Sequence, residues 1–403
     1  MLLTEYLNKN FSPTNLWSQE VLIERFMSNF GVNVKIEGDL FLFKYDMIAA
    51  NWQKDLTREC RGVIIRKGVS GWTVASRPFD KFFNQHEGHS GIHDDKTFNS
   101  MCSEYEFNEK ADGTCIQMWF DTHKNIWRAS TLGTITTGSV GDIPGLTFDQ
   151  LFWNTMENNG FDQEKLTNDD RGYTFIFELC CAENRILTKY PKNKVYLLAA
   201  RKTATGMYIS FEEFADKFCV VKPTVYRFVD LGINNLEQAR DWVENESKNT
   251  ELYGEYPEGF VIYKNGIPVA KMKNRDYIDK HHAIGAGDIL HTRNVVIERF
   301  FAGTLDDLMD VLVDSMKDYS ERIRKWWLEQ VLENEKVCVE MRKHDFETQK
   351  DFALYVNANA PKAFASFYFG NKDDILSGYV VTPLLNKWIQ DNWKKFDKEI
   401  KSL

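Results

Sequence analysis

Six stretches of this chain carry residues whose types and spacing could do chemistry. The first is EKADGTC (109–115), where Lys110 follows Glu109 and precedes Asp112 and Gly113. A lysine amine is a nucleophile once its proton is gone, and its ordinary pKa of about 10.4 must then be lowered by neighbours or by burial. A solvated lysine at a hairpin mouth is the plainer alternative, since Asp-Gly favours tight turns. The second is VAKMKN (269–274). Lys271 and Lys273 are two apart on a strand and share a face. The third is TFIFELCC, where Glu178 interrupts an apolar run and must be paired or functional, because burying an unpaired charge is costly. Glu258 opens the strand GFVIYK, and Arg61 and Lys81 lie in TRECRGVIIR (57–66) and ASRPFDKFFN (75–84). Each of these alone is as well explained by a surface charge.

The elements that must position these residues are mostly short strands. Residues 34–48 and 62–77 alternate between apolar and polar positions around glycine turns. Similar patterns recur at 105–120, 126–130, 173–181, 194–200, 207–210, 259–264 and 267–273. Helical spacing falls at 147–158, 211–217 and 235–247. Mostly hairpin links imply α+β architecture with antiparallel sheets rather than a doubly wound fold. Beyond about residue 285 turn residues become scarce. The run 304–344 is helical in spacing, with Thr304 as its cap and Asp306 and Asp307 in its first turn. The boundary is expected near 280, giving a mixed domain over 1–280 and an all-helical domain over 281–403.

The order of the motifs is more specific than any one of them. ECRG, ASRP-x-x-KFFN, K-x-DG, FEL…NRI, EG-x-V and K-x-K follow one another between about residues 50 and 275. This set resembles the RNA ligase 1 family of tailed phages, within the covalent nucleotidyltransferases. The resemblance implies an adenylyltransferase domain followed by a helical RNA-specificity domain. It implies an ATP-dependent ligase joining RNA 5′-phosphate and 3′-hydroxyl ends through lysyl-AMP, with repair of cleaved tRNA during infection as the task. Lys110 is then the nucleophile, and Lys271 and Lys273 grip the ATP phosphates. Arg61 and Lys81 become further phosphate ligands. Glu109, Asp112, Gly113, Glu178 and Glu258 line the nucleotide site. Glu258 and Asp306 are the expected contacts to Mg2+ or Mn2+. One departure stands out: where the family has a basic residue before Gly-Ser/Thr, this chain has Leu132 in STLGTI (130–135), with Arg128 as a nearby replacement.

Bulk properties set limits on the alternatives. The chain has 403 residues, 43% hydrophobic and 27% charged, ordinary for a globular protein. A net charge of −9 excludes a wholly basic coat and leaves room for a local basic stripe. The 14% aromatic content provides rings for cores or for base stacking. The N-terminus lacks the plan of a signal peptide, and no apolar run spans a membrane, so a cytoplasmic, monomeric protein is expected. Seven scattered cysteines show neither a zinc spacing nor a disulfide framework. His86, His89 and His93 could bind a metal, but their Gly- and Ser-rich setting favours a polar loop. The rival readings are a DNA ligase or capping guanylyltransferase, which the helical C-terminal texture opposes, and a non-enzymatic RNA-binding protein. Trp326 and Trp327, beside Arg322, Arg324 and Lys325, are equally compatible with RNA contact and with a core.

Overall fold

A computed structural model describes residues 1–14, 16–46, 49–138, 140, 145–183, 188, 190, 192–209, 214, 217–253, 257–275, 277, 289–303, 305 and 314–403. The chain divides into two compact units. One comprises Met1–Trp17 and Asn29–His281, the other Ser18–Ser28 and His282–Leu403.

Three sheets build the first unit. Strands β1 (Val32–Glu37), β2 (Leu40–Tyr45), β3 (Arg61–Lys67) and β4 (Trp72–Ser76) form an antiparallel meander in chain order. The other ten strands are β5 (Phe83–Asn84), β6 (Tyr105–Glu109), β7 (Thr114–Asp121), β8 (Ile126–Thr131), β9 (Tyr173–Cys180), β10 (Lys194–Lys202), β11 (Tyr208–Ile209), β12 (Val225–Arg227), β13 (Gly259–Lys264) and β14 (Ile267–Lys273). They make a second sheet ordered β11-β10-β9-β7-β8 and a third ordered β12-β6-β13-β14-β5. All described pairings between these strands are antiparallel except that of β14 with β5, and an isolated bridge, Tyr196 to Val221, is also parallel. The strand pattern read from sequence therefore holds, as does the α+β class.

Each sheet buries one face against a helix or another sheet. The helix Phe148–Asn158 starts at Thr147 with a capping box closed by Gln150. It sets Leu151, Phe152 and Met156 against Phe175, Phe177 and Leu197 of the second sheet. The helix Leu236–Glu246, capped by Asn235, covers the third sheet. There Trp242 stacks on Phe107 with ring centroids 4.8 Å apart. Between the first and second sheets lie Leu40, Leu42, Ile64, Trp119 and Ile135. Burial of one such apolar side chain is worth about 1.5–3 kcal/mol, so these layers hold the strand ends in register.

The second unit is helical. Its longest helix, Asp314–Met341, carries Tyr319, Ile323, Trp326 and Trp327 into the core of that unit. Trp327 stacks on Phe301 at 5.2 Å, and Phe301 stacks in turn on Trp393 at 5.3 Å. The indole nitrogens donate to Glu399 and Asn386. Buried rings with satisfied N–H groups are core residues, which resolves the open question about Trp326 and Trp327. Thr304, Asp306 and Asp307 lie outside the described residues, as do most of residues 211–217. No described helix is long and apolar enough to cross a membrane.

Candidate active site

Lys110 does not sit in a hairpin. β6 belongs to the third sheet and β7 to the second, so residues 110–113 are a crossover between sheets. This corrects the turn read from Asp-Gly. Gly113 is not held at positive φ. Its missing side chain serves close packing instead: a Cβ there would stand 2.3 Å from the Leu179 carbonyl oxygen of β9. Asp112 is buried and fixed on three sides. Its amide donates to the Tyr190 hydroxyl at 2.9 Å, and its carboxylate accepts from the Thr188 amide at 2.8 Å and the Tyr277 hydroxyl at 3.3 Å.

The crossover presents Lys110 to the ends of β13 and β14. The Lys110 amide donates to the Gly259 carbonyl at 3.0 Å. Gly259 pairs with Lys273, and the Asn274 amide donates to the Glu258 carbonyl at 3.0 Å, so Glu258 is held beside the last lysine of K-x-K. The result is one carboxylate between two ammonium groups. Lys110 Nζ lies 2.5 Å from Glu258 Oε2, and Lys273 Nζ lies 3.1 Å from Oε1. Lys273 and Glu258 are nearly inaccessible, whereas the Lys110 side chain is 22% exposed.

The electrostatics follow from that arrangement. Burial alone would raise Glu258, but Lys110, Lys273 and Lys271 outweigh it and hold the carboxyl down at about 2. Burial pushes Glu178 the other way, up to about 8, with Glu258 and Asp112 adding to the rise and Lys110 and Arg61 opposing it. For Lys110 burial favours the neutral amine, yet Glu258, Glu178 and Asp112 prevail and raise its pKa. The sequence reading expected the opposite shift. The neighbour that reaches Lys110 is the Glu258 carboxylate, which favours the charged amine, rather than a cation.

The remaining expected residues are placed as follows. Glu178 pairs across β7 with Cys115 and across β10 with Tyr196. Burial and Glu178 push the Cys115 thiol up to about 12. Arg61 lays its guanidinium over Phe82 at 4.7 Å, and its charge reaches Glu178 and Cys115. β5 runs beside β14, with Asn84 opposite Lys271, so KFFN and K-x-K share a sheet edge. Lys81 itself enters an aromatic box, with Nζ 4.9, 5.4 and 5.3 Å from the rings of Tyr45, Trp52 and Phe83. Glu109 is buried and accepts from the Tyr196 hydroxyl and from the Thr224 amide and hydroxyl. In the histidine stretch, the His89 ring packs on Phe83 at 5.4 Å, and Gln85 ties the loop back to Ile92. Arg128 is committed elsewhere, to Asp121 at 3.3 Å and Thr136 at 2.9 Å.

A protein-family model described as RNA ligase matches residues 59–281. That interval covers the crossover, both lysines of K-x-K and both glutamates. The chain belongs to the RNA ligase family. An RNA ligase of Rhodothermus phage RM378 is 31% identical over 221 residues, covering 49% of this chain and 48% of the relative. An uncharacterized protein, ORF64, of Ostreid herpesvirus 1 is 22% identical over 272 residues, covering 62% of this chain and 63% of the relative. The chain thus spans about half to three fifths of the length of these curated relatives. Among solved structures, an archaeal ATP-dependent RNA ligase aligns with a TM-score of 0.44 at 14% identity, over 83% of this chain and 85% of that one.

Several residues of this RNA ligase family member escaped the sequence reading. Tyr190, Thr188 and Tyr277 fix Asp112, and Tyr196 and Thr224 fix Glu109. Tyr190 and Thr188 do lie just after NRI, and Tyr277 just after K-x-K, so proximity to a motif was the available signal. Thr224 offered none.

Proposed function

We propose that this chain is an ATP-dependent RNA ligase that joins RNA 5′-phosphate and 3′-hydroxyl ends. The observation that carries the reading is the Lys110–Glu258–Lys273 array at the seam of two sheets. An amine nucleophile there has cations beside it that suit a polyphosphate. In the first step Lys110 Nζ attacks the α-phosphorus of ATP, forming a lysyl-AMP phosphoramidate and releasing pyrophosphate. The RNA 5′-phosphate then displaces lysine and takes the AMP. Finally the 3′-hydroxyl attacks that activated phosphate, forms the phosphodiester and releases AMP.

The residues divide this work by charge. Lys271 and Lys273 sit where they would stabilise negative charge developing on the phosphates. Lys110 holds its proton while Glu258 pairs with it, so the nucleophile is freed when that carboxylate is drawn elsewhere. Oxygen donors from Glu178 and Glu258, beside a Cys115 thiol that keeps its proton, fit a hard divalent cation such as Mg2+ or Mn2+. Among the described residues no group of three or more His, Cys, Asp or Glu side chains is arranged to hold a metal unaided. Substrate phosphate oxygens would complete the shell, as is usual for Mg2+. Such a cation neutralises phosphate charge.

We assign adenylyl transfer to residues 1–280 and RNA selection to the helical residues 281–403, with cleaved tRNA in the cytoplasm as the natural substrate. The test is direct. Wild-type protein and the Lys110→Ala variant are incubated with α-labelled ATP or GTP and Mg2+, then run on a denaturing gel. Label from ATP that vanishes in the variant is the expected result. Label from GTP alone would point to capping chemistry, and no label in folded wild-type protein would overturn the ligase reading.

A further inference from the structure

The loop that follows β8 carries no charge of its own at Leu132, yet the structure surrounds it with cations. It is tightly held. Thr131 Oγ1 accepts from the amides of Gly133 and Thr134, each at 3.1 Å. Lys35 Nζ on β1 donates to the Gly133 carbonyl at 2.8 Å. Glu37 accepts from the Thr136 amide at 3.1 Å and its hydroxyl at 2.7 Å.

Lys44 on β2 reaches the same loop. Its Nζ lies 3.8 Å from where a side chain on Gly133 would begin. Lys44 is also the cross-strand partner of Arg61 on β3, and such partners extend from the same face. The pairing falls at a register shift, and Gly62 takes a φ of +85° there. This is a bulge in ECRG, which re-aims the residues around it. No other residue type fits, since a Cβ on Gly62 would strike the Leu132 backbone at 2.6 Å. The bulge therefore fixes three things together: the direction of Arg61, the seat of the loop and the partner position of Lys44. Arg61 in turn is close enough to Glu178 to oppose the rise that burial causes in its pKa.

We propose that Lys44 is a phosphate-binding residue of this enzyme, acting with Arg61 at the rim of the Lys110 site. It recognises a terminal phosphate group: that of the ATP polyphosphate or the 5′-phosphate of RNA. This rests on the ligase reading for the identity of the two phosphate sources, but the placement of Lys44 does not. Lys44 is a binding residue brought by a strand remote in sequence from Lys110.

Lys44→Met keeps the length of the side chain and removes its charge, and Lys44→Arg restores a cation. Calorimetry of the full chain with inorganic tripolyphosphate forms one arm. Binding of a short RNA with a 5′-phosphate against the same RNA with a 5′-hydroxyl forms the other. Loss of one charge-assisted contact weakens a phosphate ligand by about tenfold. A tenfold loss for tripolyphosphate in Lys44→Met, rescued in Lys44→Arg, assigns the contact to the nucleotide. Loss of the preference for the 5′-phosphorylated RNA, with the same rescue, assigns it to RNA. Wild-type affinity in both arms, or a loss that arginine does not rescue, overturns the proposal. ATP labelling of wild-type protein is scored separately, so failure of the ligase reading leaves the tripolyphosphate arm to decide on Lys44.

Discussion

Lys110 and Glu258, 148 residues apart in the chain, meet with Nζ and Oε2 2.5 Å apart. The contact joins the sheet crossover to the start of β13, and Lys273 takes the other carboxylate oxygen at 3.1 Å. Lys110, the proposed nucleophile, and Lys273, a proposed phosphate ligand, are thereby coupled through one acid. Whatever draws on Glu258 acts on both lysines.

Glu258→Gln removes the largest cause holding the Lys110 proton. Lys110 should titrate at lower pH in that variant, because the carboxylate that favours its charged form is gone. Competitive acetylation of the metal-free protein across pH, read by mass spectrometry at Lys110, measures this. An unchanged titration curve would show that the ion pair does not control the amine.

Glu178 gives a pH dependence of stability. Its folded pKa of about 8 lies above the ordinary carboxyl value of 4.5. Between those values the folded state binds more protons than the unfolded state, so stability falls as pH rises. Glu178→Gln removes that loss. In metal-free buffer the variant should gain Tm over wild type at pH 8. At pH 5 the difference should shrink towards zero. Equal gains at both pH values would mean that the carboxyl does not titrate in this window.

Gly113→Ala tests the close packing of the crossover. A methyl group 2.3 Å from the Leu179 oxygen and 3.0 Å from the Cys180 sulfur must displace backbone. Overpacking of this kind costs about 1–3 kcal/mol. The denaturant midpoint should fall, and ATP labelling of Lys110 should slow. A midpoint equal to wild type would mean that the crossover yields freely.

Trp327→Ala tests the ring stack in the helical unit. Loss of a buried tryptophan costs about 3–5 kcal/mol, and here it also strands the Asn386 oxygen that accepts from the indole nitrogen. Helix content measured by circular dichroism should melt earlier than in wild type. An unaltered melt would move Trp327 out of the core.

Much of the fold could be read from the chain because strand alternation is local. FLFKY, GVIIR and GFVIYK each show which face is buried, and each forms a strand. Sheet membership is not local. YEFNE and TCIQMWF look like the two arms of one hairpin, but β6 pairs with β12 and β13 and β7 with β8 and β9, in different sheets. The candidate residues stood out by type and order, and the structure brings three of them, Lys110, Glu258 and Lys273, into contact. Their electrostatics were not legible, because the pKa of Lys110 depends on which partner reaches it first in space. Lys44 was missed for the same reason: its proximity to Gly133 comes from packing of the first sheet on the loop after β8.

The crossover of residues 110–113 has one more consequence. A residue spans at most about 3.3–3.6 Å, so four residues fixed at both ends leave little slack. Any shear between the second and third sheets must pass through this short bridge. Lys110 is then a strain gauge for the core of the first unit as well as the proposed nucleophile. An isotope-labelled ammonium there would report, from one resonance, whether ligands or substitutions tens of ångströms away have moved one sheet across the other.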